Sequence, residues 1–264
     1  MNEIVKKIYI CENDIWGEPQ TYKNIKLYPI KISEIKYKDL FYELFCYPKN
    51  FIPDKIIFKM SYLKYLLYVL SGWYGKTPSE IGNNLKDFLE YITKKDKIEI
   101  LVNKESDDHI INIGDVELNE FDFENIREIV LEQNGLSVDY IEEYNIELEE
   151  KLKAFQNNDD PNFDDEIFLF CSILNKTLFE IKNYTLYQFK YQFKKMVSLI
   201  EYKSFKPLEL SGQIYSKNKG EEIIKHYLRH NEKLGRYDSI LVSREKYTQT
   251  SDIFKATKPI ERGI

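Results

Sequence analysis

The sequence predicts an α+β fold that is predominantly α-helical. A small β-sheet or hairpins packed with helices should fill an N-terminal part, residues 1–157, followed by a helical C-terminal part, 158–242, and a flexible tail, 243–264. Three observations lead there. Short apolar or alternating runs with β-rich composition recur in the first half. Apolar residues at spacings of three and four, with capping residues ahead of them, punctuate the whole chain. Beyond the polar stretch Asn157–Asn162, which contains Pro161 and reads as a linker, only the helical spacing remains.

Taken in order, Val5–Ile10 and Ile25–Ile30 read as strands, separated by a turn-rich stretch, Glu12–Asn24, with Gly17 and Pro19. Ser33 is placed to cap a helix carrying Tyr37, Leu40, Phe41, Leu44 and Phe45, and Pro48 and Pro53 bracket a loop. Met60–Leu70 is apolar on nearly all sides, the mark of a buried helix, and Gly72 should end it. Thr77-Pro78-Ser79-Glu80 is a strong helix start: Thr77 accepts from the backbone, Pro78 suits the first turn, and Glu80 reaches back. Ile81, Leu85, Phe88, Leu89 and Ile92 form the stripe behind it. Ile98–Val102 and His109–Ile113 should pair as a hairpin, with Gly114-Asp115 turning into Val116–Leu118. Asp122 is positioned to cap a helix with Phe123, Ile126, Ile129 and Val130 inward, stopped by Asn134-Gly135. Ile146–Gln156 follows as a helix. After the linker come the stripe Phe163, Ile167, Phe170, Cys171, Leu174, then a Thr185-capped helix with Leu186, Phe189, Phe193, Met196, Val197 and Ile200, and a last helix over Glu221–Asn231.

Charge is distributed unevenly along this frame. Residues 99–166 carry 22 Asp and Glu against 4 Lys and Arg, a net of −18, so the rest of the chain is basic although the whole sums to −6. A pI near 5.4 argues against a general nucleic-acid or anionic-membrane binder, because phosphate binding needs a basic face. Cys11, Cys46 and Cys171 are too few and too irregular for a disulfide framework and suit a reducing compartment. Met1 to Glu12 lacks the apolar run of a signal peptide, and the longest wholly apolar stretch, Tyr65–Leu70, is too short for a bilayer, so a cytoplasmic protein is expected.

Catalytic and cofactor motifs are missing: no Walker loop, no GxGxxG after a strand, no CxxC and no GxSxG. No catalytic, cofactor-binding or metal-binding residues are therefore assigned. His226 and His230 stand four apart on a helical stretch with Glu222 one turn earlier, but Tyr227 occupies the position where a metalloprotease carries glutamate, and two surface histidines is the plainer reading. Asp159, Asp160, Asp164, Asp165 and Glu166 surround Pro161, yet Phe163 stands where a calcium loop needs glycine, so the group reads as a solvated linker and helix start. The aromatic series Tyr184, Tyr187, Phe189, Tyr191, Phe193 reads as a core stripe. Glu142, Glu143, Glu147, Glu149 and Glu150 are dense enough to repel one another. They form either a solvated face or a docking surface for a basic partner, and are the candidate partner-binding residues.

The segment Leu178-Phe179-Glu180-Ile181-Lys182-Asn183-Tyr184-Thr185-Leu186-Tyr187-Gln188-Phe189 reads as a short helix, a break and a capped helix. It resembles the ending of tail assembly chaperones from phages and phage-like particles of low-GC Gram-positive bacteria. Glu209-Leu210-Ser211-Gly212 is similar, as are Leu27–Ile35, a strand leading into a helix, and Phe123–Gly135 after its hairpin. The abundance of Lys, Asn, Ile, Tyr and Phe, residues with AT-rich codons, agrees with such a source. The resemblance implies a non-enzymatic protein without cofactors that binds the hydrophobic tape-measure protein, or other tail proteins, in the bacterial host cytoplasm and leaves before the tail is complete. It supplies no catalytic residues. A homo-oligomer is compatible with it. A structural virion component, such as a baseplate or tail-completion protein, is the alternative.

Overall fold

The computed structural model describes residues 15–52, 54–102, 108–155 and 162–211, with the side chains of 151–155 left aside. The fold is α+β and predominantly helical, with two small antiparallel sheets set among the helices. The expected strand Val5–Ile10, the linker residues 157–161, the helix Glu221–Asn231 and the tail from 243 all lie outside the described residues.

The first sheet corrects the sequence reading. The stretch expected as a turn supplies a strand, β1 (Gln20–Tyr22), which pairs with β2 (Ile25–Leu27). Lys23 and Asn24 make the hairpin turn with φ of 44° and 64°, two successive left-handed residues whose twist matches a tight hairpin. β2 ends at Leu27 rather than Ile30 because the backbone beyond it bonds to helix ends. The Tyr28 N–H donates to the Ile92 carbonyl at 2.7 Å, and the Ile30 N–H donates to Asn134 Oδ1 at 3.1 Å.

Helix α1 (Ile35–Phe45) buries Phe41, Leu44 and Phe45. Ser33 does not cap it. Ser33 lies inside a turn closed by the Glu34 N–H on the Lys31 carbonyl, and Glu34 takes the cap position without a side-chain bond. The expected Met60–Leu70 helix begins later and ends later. Short α2 (Lys55–Lys59) stops at Met60, whose ψ of 144° is extended. Ser61 then caps α3, a continuous run over residues 62–73 whose centre, Tyr65–Leu70, is π-helical. Gly72 is inside this run, and the chain turns at Gly75 with φ +65°. Helix α4 (Pro78–Thr93) has the expected capping box, with the Glu80 N–H on Thr77 Oγ1 at 3.2 Å and the Thr77 N–H on Glu80 Oε2 at 2.6 Å. Its expected stripe is buried in full.

The second sheet has the order β3 (Ile98–Val102), β4 (His109–Ile113), β5 (Val116–Leu118), as the sequence predicts. Helix α5 (Glu120–Gln133) is capped by Asn119, not Asp122. Asp122 is the return partner three residues on, its carboxylate accepting the Asn119 N–H at 2.9 Å. Ser137 caps a short α6 (Val138–Glu142) that the sequence reading missed, and α7 (Ile146–Phe155) follows as expected. In the C-terminal part Asn162 caps α8 (Phe163–Leu174), and Thr177–Glu180 and Thr185–Gln188 boxes open α9 (Leu178–Ile181) and α10 (Leu186–Leu210).

Two cores hold these elements. The larger one gathers buried side chains from β2 through α6 and includes Leu186 from α10. The smaller one joins Ile32 to Phe170, Cys171, Ile181, Phe189 and Met196. A backbone seam connects them: the Ile32 N–H donates to the Tyr184 carbonyl at 3.0 Å and the Leu186 N–H to the Ile30 carbonyl at 2.8 Å. The residues around position 31 thus bind the start of α10 as a strand would.

Candidate protein-binding site

The five glutamates proposed from sequence do not act alike. Glu142, at the end of α6, turns inward. Its Oε1 takes the Arg127 Nη2 at 3.1 Å and its Oε2 accepts the Lys49 N–H at 2.9 Å. Arg127 is 1% exposed in the middle of α5. It also donates from Nε to the Phe45 carbonyl at 3.1 Å, and its guanidinium lies 3.6 Å from the Tyr62 ring centroid. Glu142 is therefore the counter-ion of a buried cation, a role the helical spacing of α5 does not reveal because position 127 falls among apolar neighbours. Glu143, Glu147 and Glu150 are exposed, and Glu149 is half-buried. Asp164, Asp165 and Glu166 occupy the first turn of α8, where the helix dipole favours them. His226, His230 and Glu222 lie outside the described residues, as do Asp159 and Asp160. Among the described residues no three His, Cys, Asp or Glu gather as metal ligands.

Of the aromatic series, Phe189 is buried against Phe163, Phe170 and Phe193, with centroids 5.2–5.9 Å apart. Tyr187 and Tyr191 stack on each other further out, and Tyr191 is exposed.

The apolar surface that sequence reasoning missed is on α8 and α9. One side of α8 packs Phe170 and Cys171 into the smaller core. The other side leaves Phe168 57% exposed, Leu169 48% and Ile173 42%. At about 100° per residue these three share an arc of roughly 140°. Leu178 and Phe179 continue the exposure into α9, Phe179 at 74%. The signal was present in the sequence: Ile167 to Leu174 is apolar on both sides, more than one small core can cover. Large apolar side chains exposed together on one side of a helix are typical of protein-binding sites.

A cleft of about 470 Å³ runs between β3 and the side of α4 that carries Ser79, Gly82, Asn83 and Lys86, with Leu67 and Tyr68 of α3 also lining it. His109, also in its lining, is fully buried. Glu120 Oε1 holds its Nδ1 at 3.1 Å and accepts its backbone N–H at 2.9 Å, and the Tyr68 hydroxyl meets Nε2 at 3.0 Å. Burial alone would raise the Glu120 pKa. The Ser61 hydroxyl, the two His109 groups and Lys64 at 3.4 Å together hold it below its ordinary value. This histidine has both ring nitrogens engaged and ties three elements together; it is a packing node.

Neither described cysteine is poised as a nucleophile. Burial pushes the Cys46 thiol up to about 12, against the pull of Arg127 and Lys190, and burial also raises Cys171. No helix of the described residues is long and apolar enough to cross a membrane. The chain matches no protein-family model, no curated protein and no solved structure.

Proposed function

We propose that this protein is a non-enzymatic phage tail assembly chaperone that binds the tape-measure protein in the bacterial host cytoplasm during tail morphogenesis. The reading rests on the resemblance of residues 178–189 and on one observation, the exposed apolar side of α8 and α9 formed by Phe168, Leu169, Ile173 and Phe179. A long helical client with apolar faces needs such a surface on whatever keeps it soluble. A structural virion component, such as a baseplate or tail-completion protein, is the second reading, favoured by the open edge of β3 as a place to add neighbouring strands.

Co-expression with a tape-measure protein tests the first reading. The wild-type chain is expected to bring the client into the soluble fraction and to be missing from purified particles. Phe168→Asp/Leu169→Asp is expected to fold normally and lose the client. Stoichiometric recovery in mature particles would establish the structural reading instead.

A further inference from the structure

Six residues make up the outer half of α8. At about 100° per residue Asp164, Phe168, Ser172, Asp165, Leu169 and Ile173 follow one another around roughly 180° of the helix, and all six are exposed. The two acids stand one turn ahead of Phe168 and Leu169, in the same rows, and form no ion pair among the described residues. At its other end α8 stops at Asn175, which is left-handed with φ of 53°. The Lys176 N–H turns back onto the Cys171 carbonyl at 2.9 Å, which keeps this lysine at the helix terminus. Lys176 Nζ donates to the Tyr184 hydroxyl at 2.6 Å but forms no ion pair among the described residues, and an ammonium has three donors.

This half of the helix complements itself about a two-fold axis. With two copies of α8 antiparallel and the axis midway between Phe170 and Cys171, Phe168 stands opposite the partner's Ile173 and Leu169 opposite the partner's Ser172. Large residues then face smaller ones, which lets the helices interlock at close distance. That register is set by the centre of the apolar surface alone. It also brings Asp165 opposite the partner's Lys176, since both are equally far from the axis, and the two-fold repeats the contact. A parallel pair would set Asp164 and Asp165 against their own copies, acid against acid. The exposed parts of the six residues come to roughly 500 Å² per copy, or ~1,000 Å² in all, the lower bound of a specific interface. Such a pair dissociates on dilution.

We propose that α8 packs antiparallel on α8 of a second copy of this chain, forming a reversible dimer that covers Phe168, Leu169 and Ile173. The proposal does not rest on the tail-assembly reading and is tested with no client present. A client that uses this side of α8 has to displace the second copy. Sedimentation equilibrium of the full chain, from nanomolar to high micromolar concentration, should show a monomer–dimer equilibrium. Ser172→Tyr, at the centre of the contact, should raise the dissociation constant at least about tenfold, and Ser172→Ala should leave it unchanged. Residue 172 is exposed, so circular dichroism of both variants should match wild type. Chains carrying Asp165→Cys mixed with chains carrying Lys176→Cys should form a disulfide between positions 165 and 176 on mild oxidation, identified by mass spectrometry of the linked peptides. Asp165→Cys alone should not link to its own copy. A monomer at every concentration, a dimer indifferent to Ser172→Tyr, or a 165–165 link in place of the 165–176 link would each overturn the proposal.

Discussion

Glu142→Ala tests the assignment of this glutamate to the interior. It would remove the counter-ion of Arg127, a cation 1% exposed, while leaving the guanidinium its Phe45 carbonyl and its place over Tyr62. Breaking a buried ion pair by deleting one partner costs about 3–5 kcal/mol, because the remaining charge stays desolvated. The Glu142 side chain is 26% exposed, so water can enter part of the space it leaves, and the expected loss is at the lower end, ~3 kcal/mol. Arg127→Met keeps the volume and removes the charge. Its penalty should be smaller, about 1–2 kcal/mol, since the freed glutamate reaches solvent. The double variant should be more stable than the sum of the two losses predicts, with a coupling of ~1.5–3 kcal/mol. Urea unfolding followed by circular dichroism measures all three. A loss below ~1 kcal/mol for Glu142→Ala, together with zero coupling, would refute the reasoning and return Glu142 to the surface acids.

Three further outcomes follow from local geometry. Burial alone would raise the Asp122 pKa, but Lys23, the Asn119 N–H and the Tyr22 hydroxyl hold it below its ordinary 3.8. Its contribution to stability is thus fully present above that value and is lost as pH falls through the lower folded value, so Asp122→Asn should flatten the acid limb of a stability–pH curve below about pH 4. Gly17 and Gly75 both have positive φ, +71° and +65°, but a Cβ on Gly17 would lie 2.8 Å from Thr185 Cγ2 and one on Gly75 would meet nothing within 4 Å. Thermal unfolding should therefore show Gly17→Ala losing more than Gly75→Ala, whose loss is the ~1 kcal/mol of the left-handed conformation alone. Cys46 should resist alkylation in the native protein at neutral pH and react once the chain is unfolded in urea, as mass spectrometry of the labelled peptides would show.

What was legible in the sequence is what local chemistry decides. The Thr77 box, the three strands between Ile98 and Leu118 and the α4 stripe depend on residues close to one another in sequence, and the structure has them as read. The misses depend on distant partners. Ser33 and Asp122 are both good cap residues in isolation. Glu34 and Asn119 take those positions because the chain before α1 is held in a turn at Lys31 and because Asp122 is drawn toward Lys23 and Tyr22, about a hundred residues away in sequence. β1 was invisible because a three-residue strand has too short a pattern to read. Its pairing is fixed by a left-handed Lys23-Asn24 turn that a Gly-centred signal would have announced. At the candidate surface, density of charge drew attention to the glutamates. The more informative sign was an excess of apolar residues on α8, which declares itself only once the size of the neighbouring core is known.

The acidic middle of the chain divides by direction. Asp108, Glu120, Asp122 and Glu142 answer three cations of the same chain, Lys23, Lys64 and Arg127, of which Arg127 is buried and Lys64 partly so. These carboxylates hold α3, α5, β4 and α6 in register, and salt should weaken the Lys64–Glu120 and Arg127–Glu142 pairs little, because partly buried pairs are poorly screened. Glu99, Asp115, Glu117, Glu147 and Glu150 form no ion pair among the described residues and face outward. Attraction of a basic partner draws on outward acids such as this second group, which among the described residues spread over the outer face of the three-stranded sheet and the start of α7. Salt should therefore separate the two roles: partner contacts through the outward acids weaken as the Debye length falls to about 10 Å at 0.1 M, while the fold they stand on does not. The apolar side of α8 should not weaken with salt at all, since its attraction is hydrophobic. A client whose capture survives salt uses α8, and one released by salt uses the acidic sheet.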